Sequence, residues 1–201
     1  MKFSIFCASF LSVACMSSGV TATEIQRPGI DSYALGESWE WKETLVADSA
    51  PDKLLMESFD KREVVLDAGE KKFLKTFSGG AKTVAINDLD ASVDETPFRK
   101  WPLKVGVKWV HEEDWTSGDG TKGYTKQDVE VTAVEKISVP SGTYSAYKIV
   151  HRGIFKNARG TGPMNDTYWY VPEMKADVKH INESGGQTYT SVLIKYTHGT
   201  H

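Results

Sequence analysis

Cysteine is nearly absent from this sequence, and the only two, Cys7 and Cys15, lie close to the N-terminus. If that segment is removed on export, the remaining chain has no thiol. It then has no intramolecular disulfide, no cysteine metal site and no thiol nucleophile. A chain of about 180 residues buries an adequate core without such cross-links.

Long apolar runs and basic runs are also missing. The one extended apolar stretch, Ile5–Ala14, is too short to span a bilayer. The formal net charge is −3 at pH 7, and lysines and acidic residues are interspersed along the chain. We therefore expect neither nucleic-acid binding nor a membrane span in the mature chain.

Familiar catalytic and metal-binding motifs do not occur either. There is no G-x-S-x-G nucleophile motif and no H-E-x-x-H pair, and the glycines of 160–163 lack the lysine that ends a phosphate-binding loop. The acidic stretch 88–95 has calcium-loop spacing without the required glycine and glutamate, which favours a solvated connector. His180, His198 and His201 form no recognisable ligand pair. The sequence thus predicts no catalytic motif, no metal site and no cofactor.

The first 22 residues have the pattern of a secretory signal peptide. Lys2 is their only charge, an apolar stretch follows, and Val20-Thr21-Ala22 fits the small-residue cleavage rule. Removing this segment lowers the net charge by one, to −4. Cleavage before Cys15 with lipid attachment there is the alternative, although Leu11 sits one place too early for that motif. We predict an exported protein of the periplasm or cell surface, soluble or lipid-anchored.

Strand patterns dominate the rest of the chain. From Val129 to Val139 the odd positions are mostly apolar and the even positions mostly polar, which is typical of a half-buried strand. Gln187–Thr197 reads as a final strand, and the only helix signal is one or two turns over Ala50–Ser58. We predict an all-β, mainly antiparallel fold, in which a strongly curved sheet forms a barrel, half-barrel or sandwich.

Two halves of the chain share the order and spacing of several features. Residues 35–45 can be aligned with residues 105–115, and residues 64–80 with residues 137–153. The first alignment matches Gly36 with Gly106, Trp39 with Trp109, and Glu43 with Glu113. We predict a signal peptide at 1–22 and then one continuous domain of two similar β-meander halves, 23–98 and 99–201. Turn patterns shared by chance are the alternative.

Two motifs in the second half carry a resemblance to a known family. VPSGTYSAYKI begins at Val139, and TYWYVPEMK ends at Lys175. Together with a preceding glycine–tryptophan strand, they resemble the TapB-like group, an exported bacterial family of unknown function, over roughly residues 101–195. The resemblance implies an antiparallel β fold and an exported location, and it implies no catalytic residues.

Tryptophans flank the polar candidates for a site. His111 and Glu113 share one strand face between Trp109 and Trp115, and the duplication places Glu43 on the matching face of the first half. A carboxylate–imidazole pair lined by tryptophan suits a binding cleft or acid–base catalysis, unless the pair simply faces water. The ligand-binding candidates are Trp39, Trp41, Glu43, Trp109, His111, Glu113 and Trp169.

The sequence favours a non-enzymatic binding module for an apolar or amphipathic ligand, or for an envelope partner, on the concave face of the sheet. One alternative is an acid–base hydrolase or isomerase that uses His111 with Glu113 or Glu43. Another is a structural or assembly protein at the cell surface. An open apolar channel favours the first hypothesis, convergence of the three polar residues the second, and a flat apolar patch the third.

Overall fold

Ten β-strands make up most of the computed structural model, which describes residues 24–86 and 95–200. The predicted signal peptide, Cys15 and most of the acidic stretch 88–95 lie outside the described residues. The strands are β1 (Ser38–Ala47), β2 (Ala50–Asp67), β3 (Glu70–Phe77), β4 (Gly80–Ala85), β5 (Lys108–Thr116), β6 (Lys122–Val139), β7 (Gly142–Asn157), β8 (Gly160–Val171), β9 (Ala176–Ser184) and β10 (Gln187–Thr197). Two short 3-10 helices span Ile30–Ser32 and Pro172–Met174.

All ten strands belong to one antiparallel sheet, in the order β4-β3-β2-β1-β10-β9-β8-β7-β6-β5. Each half of the chain is a run of hairpins, and the pairing of β1 with β10 joins the two runs. The sheet is curved, and its edge strands β4 and β5 do not pair with each other in the described parts of the chain. The predicted all-β fold with a curved antiparallel sheet is confirmed, in its open form and not as a closed barrel.

Strand β2 begins at Ala50, so the helical turns predicted over Ala50–Ser58 are wrong. In this segment Met56 pairs with Leu45 and Leu54 pairs with Val46 of β1. Residues such as leucine and methionine favour a helix only weakly, and a neighbouring strand that offers a hydrogen-bonding edge overrides that preference.

Register shifts interrupt four of the nine strand pairs. Between β6 and β7 the extra residue is Thr132. Because side chains alternate along a strand, one extra residue exchanges the two faces and bends the strand. The single apolar row predicted over Val129–Val139 is therefore divided. Its parts lie in different core clusters, Val129 and Val131 in one and Ile137 and Val139 in the other.

The core consists of two clusters of buried side chains. In the first, the fully buried rings of Trp39 and Phe73 meet edge to face, with centroids 6.1 Å apart. The tip of the β6–β7 hairpin closes over the sheet, where the amide of Ser141 donates to the carbonyl of Leu193 at 3.2 Å. The second cluster surrounds Tyr170. Together the clusters hold the sheet in its curved form and position the cleft described next.

Candidate functional site

A cleft of about 320 Å³ opens over β1, β2, β3, β8, β9 and β10. This volume is at the lower end of the range for small-molecule sites. Its lining carries charged groups of both signs together with aromatic rings, so the cleft is not an apolar channel. The lining residues are Trp41, Glu43, Asp60, Lys61, Arg62, Lys75, Tyr168, Asp177, His180, Tyr189 and Ser191.

Trp41 forms one side of the cleft, and contacts at the edge and at the face of its indole ring hold it in place. Its indole N–H donates to the carbonyl of Asp177 at 2.9 Å. The guanidinium of Arg62 lies 5.3 Å from the ring centroid, which is within cation–π range. A tryptophan fixed in this way offers a flat apolar surface to a ligand at little entropic cost.

The carboxylate of Glu43 is also oriented by two donors. Ser58 Oγ donates to it at 2.9 Å, and Tyr189 Oη donates at 2.6 Å. Burial raises the pKa of Tyr189, and the hydrogen bond to Glu43 raises it further, so the phenol keeps its proton at neutral pH. Glu43 is therefore a fixed hydrogen-bond acceptor beside Trp41.

Asp60 and Lys75 both line the cleft. Within the described residues, neither side chain makes a hydrogen bond or an ion pair, although the two charges attract each other at a distance. Burial raises the pKa of Asp60 and Glu43 adds to the rise, while Lys75 opposes it. Burial lowers the pKa of Lys75, and the nearby Arg62 and Lys82 add to that effect, while Asp60 opposes it. Both charges are thus partly desolvated, and each retains hydrogen-bonding capacity for a ligand.

The opposite side of the cleft rests on a buried carboxylate. Asp166 is 3% exposed and accepts hydrogen bonds from Gln127 Nε2 at 2.6 Å and Asn182 Nδ2 at 2.8 Å, while His180 Nε2 lies 2.8 Å away. Burial alone raises the pKa of Asp166, but these three partners outweigh burial and hold it below its usual range. The imidazole of His180 stacks on Tyr168 with centroids 4.1 Å apart, so the carboxylate and the stacked ring fix it in the cleft wall.

Sequence patterns do not reveal the pair of Asp166 and His180, because no local motif connects the two residues. Asp166 lies on β8 and His180 on β9, and only the strand pairing brings them together. The available signal was the alternation along each strand, which places Asp166 with Tyr168 and His180 with Asn182 on one face. That alternation could be used only once the pairing of β8 with β9 was known.

The predicted site residues fall into separate groups. Trp41 and Glu43 line the cleft, and Trp39 is fully buried beside them with its indole N–H donating to the carbonyl of Met174 at 2.7 Å. Trp109, His111 and Glu113 lie on β5, and five strands separate β5 from β1 in the sheet.

On β5, His111 approaches Glu113 but not Glu43. His111 Nε2 lies 3.7 Å from the Glu113 carboxylate, whose side chain is 61% exposed, and His111 Nδ1 lies 3.3 Å from the carbonyl of Thr96. Because β1 and β5 are so far apart in the sheet, Glu43 does not complete a site with His111. The structure brings together the pair within one strand and not the pair predicted between the halves.

Trp169 is on the other face of the sheet from the cleft. It alternates with Tyr168, which lines the cleft, and it pairs in register with Lys148 and Lys179. Its indole N–H donates to Glu135 at 2.7 Å. Trp169 therefore belongs to the packing of the opposite face.

A second depression, of about 570 Å³, lies over β5, β6 and β7 and is partly lined by Trp109. Its charged side chains are matched across the strands: Lys108 pairs with Glu130 at 3.2 Å, and Asp128 lies opposite Arg152. The smaller cleft is the better candidate because two of its charges, Asp60 and Lys75, make no hydrogen bond or ion pair with any residue that the structure describes.

Residues 24–86 and 95–200 contain no group of three or more histidine, cysteine, aspartate or glutamate side chains placed to hold a metal ion. In the same residues, no helix has the length and apolar character needed to cross a membrane.

No known family profile matches this chain, and no curated protein matches it. The resemblance to the TapB-like group therefore stays a prediction.

Solved structures do match. One is an inferred exported protein from Bacteroides fragilis with a YmcC-like fold. It has a TM-score of 0.52 and 13% identity, and the match covers 87% of this chain and 100% of that chain. An inferred lipoprotein from Parabacteroides distasonis matches with a TM-score of 0.43 and 11% identity over 86% of this chain and 97% of that chain. The hypothetical lipoprotein YmcC from Escherichia coli matches with a TM-score of 0.40 and 10% identity over 78% of this chain and 84% of that chain. The first of these matches shows that the chain shares the YmcC-like fold.

Proposed function

We propose that this chain is an exported binding protein of the cell envelope that holds a small amphipathic ligand in the cleft beside Trp41. The observation that carries the proposal is the combination of a fixed aromatic surface with unpartnered charges in one concavity. Trp41 is held by Asp177 and Arg62, while Asp60 and Lys75 line the same space without a hydrogen bond or ion pair to any described residue. Such a mixture of apolar surface and a few polar groups is typical of small-molecule sites.

The exported location is supported by the signal-peptide pattern of residues 1–22, with lipid attachment at Cys15 as the alternative. The charged lining narrows the ligand class that the sequence left open. A wholly apolar ligand would bury Asp60 and Lys75 with no hydrogen-bonding partner and only each other's charge at a distance, which costs free energy. An amphipathic ligand avoids that cost.

An acid–base enzyme is the second candidate, and the observation that favours it is the pairing of His180 with Asp166. When His180 Nε2 carries the proton shared with Asp166 at 2.8 Å, Nδ1 is left as a proton acceptor. A buried carboxylate that fixes a histidine in this way is a common arrangement for a general base. In this version of the enzyme hypothesis His180 takes the place of His111.

Native mass spectrometry of the full chain purified from its own envelope, followed by denaturing extraction, tests the proposal. We expect a small molecule to co-purify, and we expect Trp41→Ala to lose it. Trp115→Ala is the matched control, because Trp115 lies on β5 away from the cleft and should retain the ligand.

Two outcomes would contradict the binding role. One is a ligand-free mass for the wild-type protein together with no binding of added small amphipathic molecules. The other is substrate turnover that His180→Ala abolishes while the thermal unfolding of the variant matches that of the wild type.

A further inference from the structure

We infer that the ligand of this cleft is a zwitterion, a small molecule that carries one ammonium group and one carboxylate or phosphate group. The inference rests on the proposed function and adds the charge pattern that the ligand must match.

The ammonium group would lie between Glu43 and Asp60. Glu43 is already aimed by Ser58 and Tyr189, and Asp60 is the cross-strand partner of Trp41. The two carboxylates are close enough for Glu43 to disfavour the ionised form of Asp60. A cation between them removes this repulsion, and the face of Trp41 adds a cation–π contact.

The anionic group would lie at Lys75. Its ammonium is half-buried and makes no hydrogen bond or ion pair within the described residues. Lys75 lies opposite Arg62 on β2 and opposite Lys82 on β4, so three cationic side chains follow one another across β2, β3 and β4. Desolvating an ammonium among like charges is unfavourable, and an anion bound there compensates it.

Two other charges of the cleft are paired within the protein. Lys61 pairs with Glu63 at 2.7 Å, and Asp177 pairs with Arg99 at 2.8 Å. A ligand with only a positive charge would leave Lys75 unpaired, and one with only a negative charge would leave the carboxylates repelling each other. Only a ligand that carries both charges complements both the two carboxylates and Lys75.

The spacing is also suitable for a small ligand. Asp60 lies two residues from Arg62, the partner of Lys75, so Asp60 and Lys75 are diagonal neighbours on adjacent strands. Such neighbours are about 7–8 Å apart, which leaves room for two groups separated by a few atoms. An amino acid, a short peptide and a phosphoethanolamine group share this chemistry.

Calorimetry on the full chain with four probes tests the inference. The probes are leucine, leucinamide, N-acetylleucine and phosphoethanolamine. We expect leucine or phosphoethanolamine to bind about tenfold or more tightly than both leucinamide, which has only the ammonium group, and N-acetylleucine, which has only the carboxylate. The stronger of the two zwitterions distinguishes an amino-acid or peptide source from a lipid headgroup.

Two variants test separately the proposed site for the anionic group and the proposed site for the ammonium group. Lys75→Met should weaken binding of the preferred zwitterion about tenfold and leave leucinamide binding unchanged. Asp60→Asn should weaken binding of the zwitterion and of leucinamide but not of N-acetylleucine. Lys126→Met is the matched control, because the Lys126 ammonium lies on β6 away from the cleft and is paired with Glu112 at 2.6 Å, and it should bind like the wild type. Thermal unfolding confirms that each variant is folded.

Equal affinity for the zwitterions and for the singly charged analogues would overturn the inference. If native mass spectrometry finds a co-purifying ligand that lacks either charge, the zwitterion is excluded and the binding role stands. If no ligand co-purifies and none of the four probes binds, both proposals fall.

Discussion

Tyr189 on β10 donates its hydroxyl hydrogen to Glu43 on β1 across 2.6 Å, a bond that joins, at the cleft, the strands that come first and last in the sequence. Neighbouring backbone pairs link the same two strands, because Glu43 lies opposite Ser191 and Leu45 lies opposite Tyr189. The side-chain bond therefore both orients a candidate ligand-binding carboxylate and supports a long-range strand pair.

Replacing Tyr189 with phenylalanine tests both roles. We expect Tyr189→Phe to lower the free energy of unfolding by about 1–2 kcal/mol, because a partly buried bond to a charged acceptor is lost, and to weaken ligand binding. Urea unfolding and calorimetry measure the two effects. Tyr144→Phe is the control: its hydroxyl donates to the carbonyl of Ser141 at a hairpin turn, so it should reduce stability alone. Unchanged stability in Tyr189→Phe would show that the bond contributes nothing.

Asp166 should contribute stability that disappears in acid. Its folded pKa lies below its unfolded value, so the contribution is fully present above about pH 4 and is lost as the pH falls through the folded pKa. We expect Asp166→Asn to cost about 3 kcal/mol at pH 7 and less at pH 3. Urea unfolding at the two pH values checks this. The exposed Glu113→Gln should change stability little at either pH, and a constant cost for Asp166→Asn would contradict the assignment.

His151 should destabilise the fold as the pH falls below neutrality. It is buried, its Nδ1 has no partner in the described parts of the chain, and burial lowers its pKa to about 3. Between that value and about 6.5, the unfolded chain binds a proton that the folded chain does not, so stability is full above that range and falls by roughly 1.4 kcal/mol per pH unit within it. Unfolding of His151→Gln should show a shallower fall. An imidazole resonance of His151 that titrates above pH 5 would contradict this prediction.

Gly153 should not tolerate a larger residue. It lies inside β7, and a Cβ built there would meet the carbonyl oxygen of Lys126 on β6 at 1.9 Å. We expect Gly153→Ala to destabilise the protein by about 3 kcal/mol or more, because the β6–β7 pairing must shift. In Gly118→Ala the new methyl group meets open space, and stability should stay within about 0.5 kcal/mol of wild type. Equal melting temperatures for the two variants would refute the close approach.

The similarity between the two halves could be predicted at turns, where a glycine is needed for the backbone conformation. Gly36 and Gly106 both have positive φ, 75° and 90°, and the amide of each donates at 2.8 Å to a valine carbonyl, of Val64 and Val131 respectively. The same pattern precedes Trp39 and Trp109, and it supports the duplication, which itself stays a prediction. The second alignment agrees less well, because Gly80 begins a strand at a turn while Gly153 is interior to one.

The alternation of apolar and polar residues predicted where the strands lie. It did not predict which face of the sheet each side chain occupies. The sequence predicts one inner row from Val129 to Val139, and the extra residue Thr132 reverses its second part. A bulge leaves no local signature in an alternating strand, because it depends on the partner strand. The cleft was only partly predictable for a similar reason: Trp41 and Glu43 stand out in one strand, whereas Asp60, Lys75 and His180 join them through strand pairing.

The β1–β10 pairing has a consequence for when the site comes into existence. Glu43 and Tyr189 are 146 residues apart in the sequence, and contacts between such distant residues form late because closing a long loop costs entropy. A partly synthesised chain that still lacks β10 contains Trp41 and Glu43. It does not yet have the side of the cleft that Tyr189 and Ser191 form. Ligand binding therefore reports that the whole chain has been synthesised and folded, from its first strand to its last.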